Sequence, residues 1–263
     1  MQDLKAQCRL YALTLANLSE VERQSWTDSF DQRFIHYSTA IEGNTCTQTE
    51  VTIIMQDGLL PADKSLQEVQ EVKYHQKAWE YVKQNYKTQA LDECTVLAIH
   101  KKVLYYEEEL LPGEYRKVNI IIRNAEHHPP KAHHLGRYLQ EYYGRLQDNW
   151  LEPIQKAAYA HAELAKIHPF TDGNGRTSRT VMNYILLQSE LPPVALTHIG
   201  RAKYFDSLAI YDETGSTAAL EELITSCMFK ELSLFWQLYA ERIPLDKIRE
   251  PELRAVAAKI TAQ

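Results

Sequence analysis

Twelve residues, His168-Pro169-Phe170-Thr171-Asp172-Gly173-Asn174-Gly175-Arg176-Thr177-Ser178-Arg179, gather an imidazole, a carboxylate, two glycines, an amide and two arginines in one short stretch. The glycines allow positive φ, so successive backbone N–H groups can converge on one point and form a nest for an anion. A helix predicted at about 176–189 opens at that nest and adds its free N–H groups and the positive end of its dipole. Arg176, Arg179 and Asn183 stand at i, i+3 and i+7 and therefore share one helix face, where guanidinium forks can bond phosphate oxygens in pairs. Asp172, in the same loop, suits a Mg²⁺ ion carried in by a nucleotide, because magnesium takes one or two carboxylates together with phosphate oxygens. The ordinary imidazole pKa near ~6.5 leaves His168 largely neutral at cytosolic pH and able to accept a proton. In-line positioning and charge stabilisation of phosphoryl-type transfer ask for this inventory. Singly, each feature has a plainer reading: a structural histidine, a turn, solvated arginines. Their conjunction at this spacing argues for a site.

A base must be held in place. Pro153 suits a helical first turn, and Ile154, Ala157, Ala158, His161, Leu164 and Ala165 recur at helical spacing, which predicts a helix over 153–167. Pro169 pushes His168 out of the helical region, so the imidazole stands at a helix end where the chain turns. The capping boxes Thr47-Gln-Thr-Glu50 and Ser65-Leu-Gln-Glu68 open helices running to about 57 and 87. Asp92 caps another to about 105, with His100 on its inward face, and further helices are expected at 134–150, 201–211 and 217–239. The region before residue 38 also reads as helix. Pro112-Gly113 breaks the chain, and 115–124, with Val118, Ile120, Ile121 and Ile122, is the only convincing β segment. Read on physics, it is a short hairpin whose apolar edge could recruit an extended peptide. His127, His128, His133 and His134 are separated by prolines and lack a carboxylate or cysteine to complete a metal-ligand set.

Residues 168–179 match the signature H-P-F-x-D/E-G-N-G-R-x-x-R at every position, and on them the chain strongly resembles the Fic family. The resemblance implies a helical bundle that transfers a nucleotidyl group from ATP to a Ser, Thr or Tyr hydroxyl of a target protein, usually as AMP. It makes His168 the general base and Asp172 the Mg²⁺ ligand. Gly173, Asn174 and Gly175 would cradle the α- and β-phosphates, Arg176 would contact phosphates, Arg179 would hold the γ-phosphate, and Phe170 would anchor the loop. Glycine at 175 separates the chain from a kinase-like branch that has lysine there. Ser38-Thr-Ala-Ile-Glu42-Gly43 resembles the inhibitory helix S/T-x-x-x-E-G/N of one Fic class. On the residues alone, 34–43 is a helix stopped at Gly43 with a solvated glutamate. The resemblance instead implies that Glu42 pairs with Arg179 and takes the place of the γ-phosphate. Gly113-Glu-Tyr-Arg116 matches the opening G-x-Y/F-R of the family's β-hairpin flap, which implies that Ile120, Ile121 and Ile122 clamp a target segment. By position alone, Tyr204 or Phe205 would line an adenine pocket, and core packing explains them equally well.

The 263 residues, 44% hydrophobic, suffice for one large core with helical annexes, and the expected fold is all-α with one small hairpin. Its parts are an N-terminal helical region at 1–90, a catalytic core at 91–226 with the flap at 113–124, and a C-terminal extension at 227–263. The net charge of −6 argues against a general nucleic-acid binder. Cys8, Cys46, Cys94 and Cys227 show no metal or redox spacing. No run approaches the ~18 apolar residues of a membrane span and no secretory pattern opens the chain, so the cytoplasm is the default compartment. Three functions are carried forward: an AMP transferase restrained by Glu42, the reverse reaction in which Glu42 aligns water to remove AMP, and a nucleotide-sensing binding module. The expected partners are ATP and a hydroxyl-bearing target protein; self-modification and a homodimer contact are left open.

Overall fold

A computed structural model of the chain describes residues 2–105, 108–122, 127–147, 151–197 and 201–262. Two long helices begin it, α1 (Gln2–Asn17) and α2 (Glu20–Glu42). The break between them, where one helical region was expected, is set by a third capping box: Ser19 Oγ accepts from Glu22 N, and the Glu22 carboxylate accepts from Ser19 N. The two expected capping boxes open α3 (Gln48–Asp57) and α4 (Leu66–Asn85), and Asp92 caps α5 (Glu93–Val103). Next come α6 (Leu135–Leu146), α7 (Pro153–Ile167), α8 (Asn174–Gln188), α9 (Arg201–Thr214), α10 (Ala218–Tyr239) and α11 (Pro251–Thr261). Among the described residues, no helix is long and apolar enough to cross a membrane.

Helix α8 is the axis of the bundle. It packs against α7 along its length and against α5, α4 and α2, so that twelve of its residues, Arg176, Arg179 and Asn183 included, are buried. Helix α10 covers α7 and α9 from the far side, and α11 closes over α1. An aromatic seam of Trp26, Phe30, Phe34, Trp79 and Phe235 joins α2 to α4 and α10. Two polar ties cross the same seam. Arg33 Nη2 donates to Glu231 Oε2 at 2.5 Å, linking α2 to α10 with both side chains nearly buried. Asp31 accepts from Trp79 Nε1 and from Lys83 on α4. Deleting one partner of such a pair strands a buried charge, so the ties specify where α2 sits more than they add net stability.

Among the described residues of the expected hairpin, 113–122 contain no strand; 123 and 124 lie outside the described residues. Side-chain bonds replace the ladder. The Arg116 guanidinium turns back along its own segment and donates to Val118 O and Pro130 O, while Asn119 Oδ1 accepts from Ala132 N. A β-rich stretch with no partner strand has nowhere to place ladder hydrogen bonds, and local side chains satisfy the backbone instead.

Candidate active site

His168 ends α7 in the left-handed conformation, φ 48° and ψ 58°, with its N–H donating to Leu164 O. A non-glycine residue is costly there, and the cost is met because the turn throws the imidazole off the helix axis towards the motif loop. Nδ1 lies 3.2 Å from Ala165 O. A carbonyl only accepts, so Nδ1 carries the proton and Nε2 presents a lone pair. Burial lowers the His168 pKa, and although the Ala165 carbonyl and the Glu42 charge oppose that, the net shift is downward and favours the neutral base.

The loop after His168 is closed from within. Asn174 Nδ2 donates to Phe170 O and its Oδ1 accepts from Phe170 N, both at 2.9 Å. Phe170 is fully buried and stacks on His100, with ring centroids 3.6 Å apart and planes at 9°. His100 Nε2 donates to Asp172 O, and its Nδ1 accepts from Gly113 N. Burial lowers the His100 pKa to about 4, which keeps this two-way connector neutral. Arg116 completes the enclosure: its N–H bonds Pro169 O and its Nε bonds His168 O. Gly173, with φ 71°, then starts α8, whose N-terminus no side chain caps. An N-terminus ringed by two buried guanidinium groups and capped by no side chain attracts anions.

Glu42 enters this pocket from the last turn of α2. Arg179 Nη2 donates to Glu42 Oε1 at 2.7 Å and to Ser38 O at 2.7 Å, and Nε donates to Ser38 Oγ at 2.9 Å. Removal from water raises the Glu42 pKa, but the Arg179 charge and hydrogen bond, helped by Arg176 and His168, bring it below the usual carboxylate range. Its side chain still keeps 39% of its surface exposed, whereas that of Arg179 keeps 2%. The carboxylate lies so close to Gly175 that a Cβ there would come within 2.1 Å of Oε1. Asp172 stands at the mouth, its side chain 53% exposed, with Oδ1 accepting from Gly173 N and Oδ2 3.6 Å from Arg176 Nη2. A half-open carboxylate beside an anion nest fits a hard divalent cation that brings its own phosphate oxygens.

Three of the expected site residues have side-chain partners within the protein. Asn183 shares a helix with the arginines but bonds Val194 through both ends of its amide, Nδ2 to Val194 O and Oδ1 from Val194 N, and so ties α8 to the 191–197 segment. Tyr204 is 2% exposed, and its hydroxyl points inward to Arg179. The Asn174 amide is spent on the loop, so only its backbone faces a ligand. Of the flap residues, Ile121 is 80% exposed and outside any strand, with Ile120 and Ile122 half-buried. His100 was read as a packing histidine and its connecting role was missed; the signal available was a polar ring on an inward helix face, which must find partners when buried.

This bundle, with its loop and central helix, defines the Fic/DOC class, and residues 90–186 match the profile of the Fic/DOC family. Residues 90–186 are therefore a Fic/DOC domain. It is 29% identical over 244 residues to a protein adenylyltransferase Fic of Culex quinquefasciatus, covering 90% of this chain and 47% of that protein. It is 31% identical over 246 residues to the protein of the same name from Drosophila persimilis, covering 86% and 48%. The chain thus spans about half the length of the curated relatives it matches. Among solved structures, a Fic domain containing signaling protein from Bacteroides thetaiotaomicron superposes with a TM-score of 0.77 at 21% identity, covering 87% of this chain and 94% of that one.

Proposed function

We propose that this chain is a protein adenylyltransferase that moves AMP from ATP to a Ser, Thr or Tyr hydroxyl of a target protein, and that Glu42 restrains it by pairing with Arg179. The observation that carries the reading is the placement of a neutral, Nε2-accepting His168 beside an uncapped helix N-terminus flanked by two buried arginines. His168 Nε2 takes the proton of the target hydroxyl while that oxygen forms a bond to the α-phosphorus; the bond from the α-phosphorus to its bridging oxygen breaks, and pyrophosphate leaves. The backbone of Gly173, Asn174 and Gly175 and the Arg176 guanidinium hold the phosphates in line, and Arg179 receives the γ-phosphate once Glu42 withdraws. Mg²⁺, when bound, neutralises phosphate charge, and Asp172 is the residue that would hold it. The names of the relatives support the reaction class.

The half-exposed, ionised Glu42 favours one further reading, in which it orients water to remove AMP from a modified target. Incubation of lysate proteins with α-labelled ATP and Mg²⁺, followed by mass spectrometry, tests both. Label is expected with Glu42→Gly and is expected to vanish with Glu42→Gly/His168→Ala while ATP binding persists. Equal labelling by the two variants would overturn the role of His168, and labelling by neither would overturn transfer. Release of AMP from a modified target by wild type but not by Glu42→Gly would establish the reverse direction.

A further inference from the structure

Behind Arg179, on the side away from Glu42, lies a polar arrangement that the proposed chemistry does not use. Arg179 Nη1 is 3.3 Å from Tyr204 Oη on α9, and Tyr204 Oη is 3.1 Å from His161 Nε2 on α7. Both side chains are buried, His161 completely. Three polar groups in an apolar bundle are costly unless they find partners, and here two contacts join them in a line, with His161 Nδ1 left without a hydrogen-bond partner among the described residues.

We infer that His161 and Tyr204 are positioning residues that hold Arg179 aimed at the anion site whether or not Glu42 is present. The inference rests on the reading of Arg179 as the γ-phosphate contact. Hydrogen accounting gives the direction of the line. A guanidinium only donates, so Tyr204 Oη accepts from Arg179 and turns its own single proton to His161 Nε2. His161 therefore keeps its proton on Nδ1 and acts as the terminal acceptor. Burial, reinforced by the Arg179 charge, lowers the His161 pKa to about 3, against a small opposing pull from the Ser178 backbone. The ring stays neutral and never sets a second cation behind the first. On the front face Arg179 is bound by Ser38 and Glu42, both on α2. Contacts on α2 are lost if that helix end moves; Tyr204 and His161 are on α9 and α7 and are not. Without the line behind it, a released Arg179 is free to choose another rotamer, and its long side chain loses conformational entropy again on each binding event. Tyr204 thus has a use that base stacking does not require: its hydroxyl, and not its ring face, is what matters.

Calorimetric titration of the Glu42→Gly chain with Mg–ATP and with AMP tests the inference, because only ATP carries the group that Arg179 would meet. Tyr204→Phe removes one oxygen and should weaken ATP roughly ten- to a hundredfold, the usual effect of losing a hydrogen bond to a charged group. AMP binding should stay within about twofold. His161→Leu should reproduce the loss, and His161→Gln, whose amide oxygen reaches the place of Nε2, should restore ATP binding. Arg179→Ala serves as the reference and should lower the ATP-to-AMP affinity ratio at least as far. Equal weakening of ATP and AMP by Tyr204→Phe, or no weakening of either, would overturn the positioning role. An unchanged ratio in Arg179→Ala would instead overturn the γ-phosphate reading on which it stands.

Discussion

Glu42 Oε1 lies 2.7 Å from Arg179 Nη2, joining the end of the second helix to the middle of the central one across 137 residues of sequence. One guanidinium edge is thereby committed to a carboxylate in the place where a nucleotide phosphate would be welcome. Aspartate at 42 is about 1.5 Å shorter and cannot make the same contact from the same backbone. Glu42→Asp is therefore expected to behave like Glu42→Gly, raising AMP transfer from α-labelled ATP about tenfold or more, whereas a wild-type level of transfer would show that any carboxylate on α2 suffices. No fixed free energy attaches to the pair, since buried ion pairs range from neutral to several kcal/mol.

Gly175 sits in an ordinary helical conformation, so alanine there meets no backbone penalty; its Cβ would come within 2.1 Å of Glu42 Oε1 and 3.0 Å of Arg179 Nη1. The carboxylate is the flexible end of a side chain and will move first, breaking its pair with Arg179. Gly175→Ala should cost about 1–2 kcal/mol in urea unfolding, and the cost should shrink by at least ~0.5 kcal/mol in the Glu42→Gly background. Additive losses would mean that the added methyl meets something other than Glu42.

Three buried histidines make the fold acid-sensitive. Burial lowers the pKa of His75 well below its ordinary value, that of His100 to about 4 and that of His161 to about 3. Folded, they refuse protons that the unfolded chain accepts below about pH 6.5, so their stabilising contribution is complete above that pH and declines as pH falls. The loss between pH 6.5 and 4 should be on the order of several kcal/mol, visible as a falling melting temperature across that window. A flat melting temperature down to pH 4.5 would contradict the neutral state assigned to these rings.

Ile121 is 80% exposed and follows Arg116, which bonds His168 O and Pro169 O, in the same segment. Ile121→Asp should change stability by less than ~0.5 kcal/mol, as surface substitutions do, while slowing modification of a protein target several-fold more than self-modification. Comparable slowing of both reactions would remove the segment from target docking.

Much of this was legible in the chain because it is local chemistry. The helix from 153 to 167 follows from Pro153 and a 3.6-residue apolar period, and its end at His168 follows from the proline behind it, although the left-handed φ of 48° there is not the extended conformation that a proline favours in the residue before it. Caps at Thr47, Ser65 and Asp92 are short-range hydrogen bonds written in neighbouring residues. The content of the anion site was equally visible, since twelve consecutive residues supply its nest, base, carboxylate and arginines.

Tertiary structure alone decided where side chains with several plausible partners actually went. Asn183 and Arg179 lie four residues apart on one helix, yet the first is consumed by Val194 and the second faces Glu42, because the elements packed on α8 differ by side. The expected β segment at 115–124 has the composition of a strand, yet its described part, 115–122, pairs with no strand among the described residues, and strand formation is a property of two segments. His100, His161 and Tyr204 read as core by periodicity; only the convergence of α5, α7, α8 and α9 turned three buried polar rings into connectors, since a buried donor or acceptor takes whatever partner the packing brings within about 3 Å.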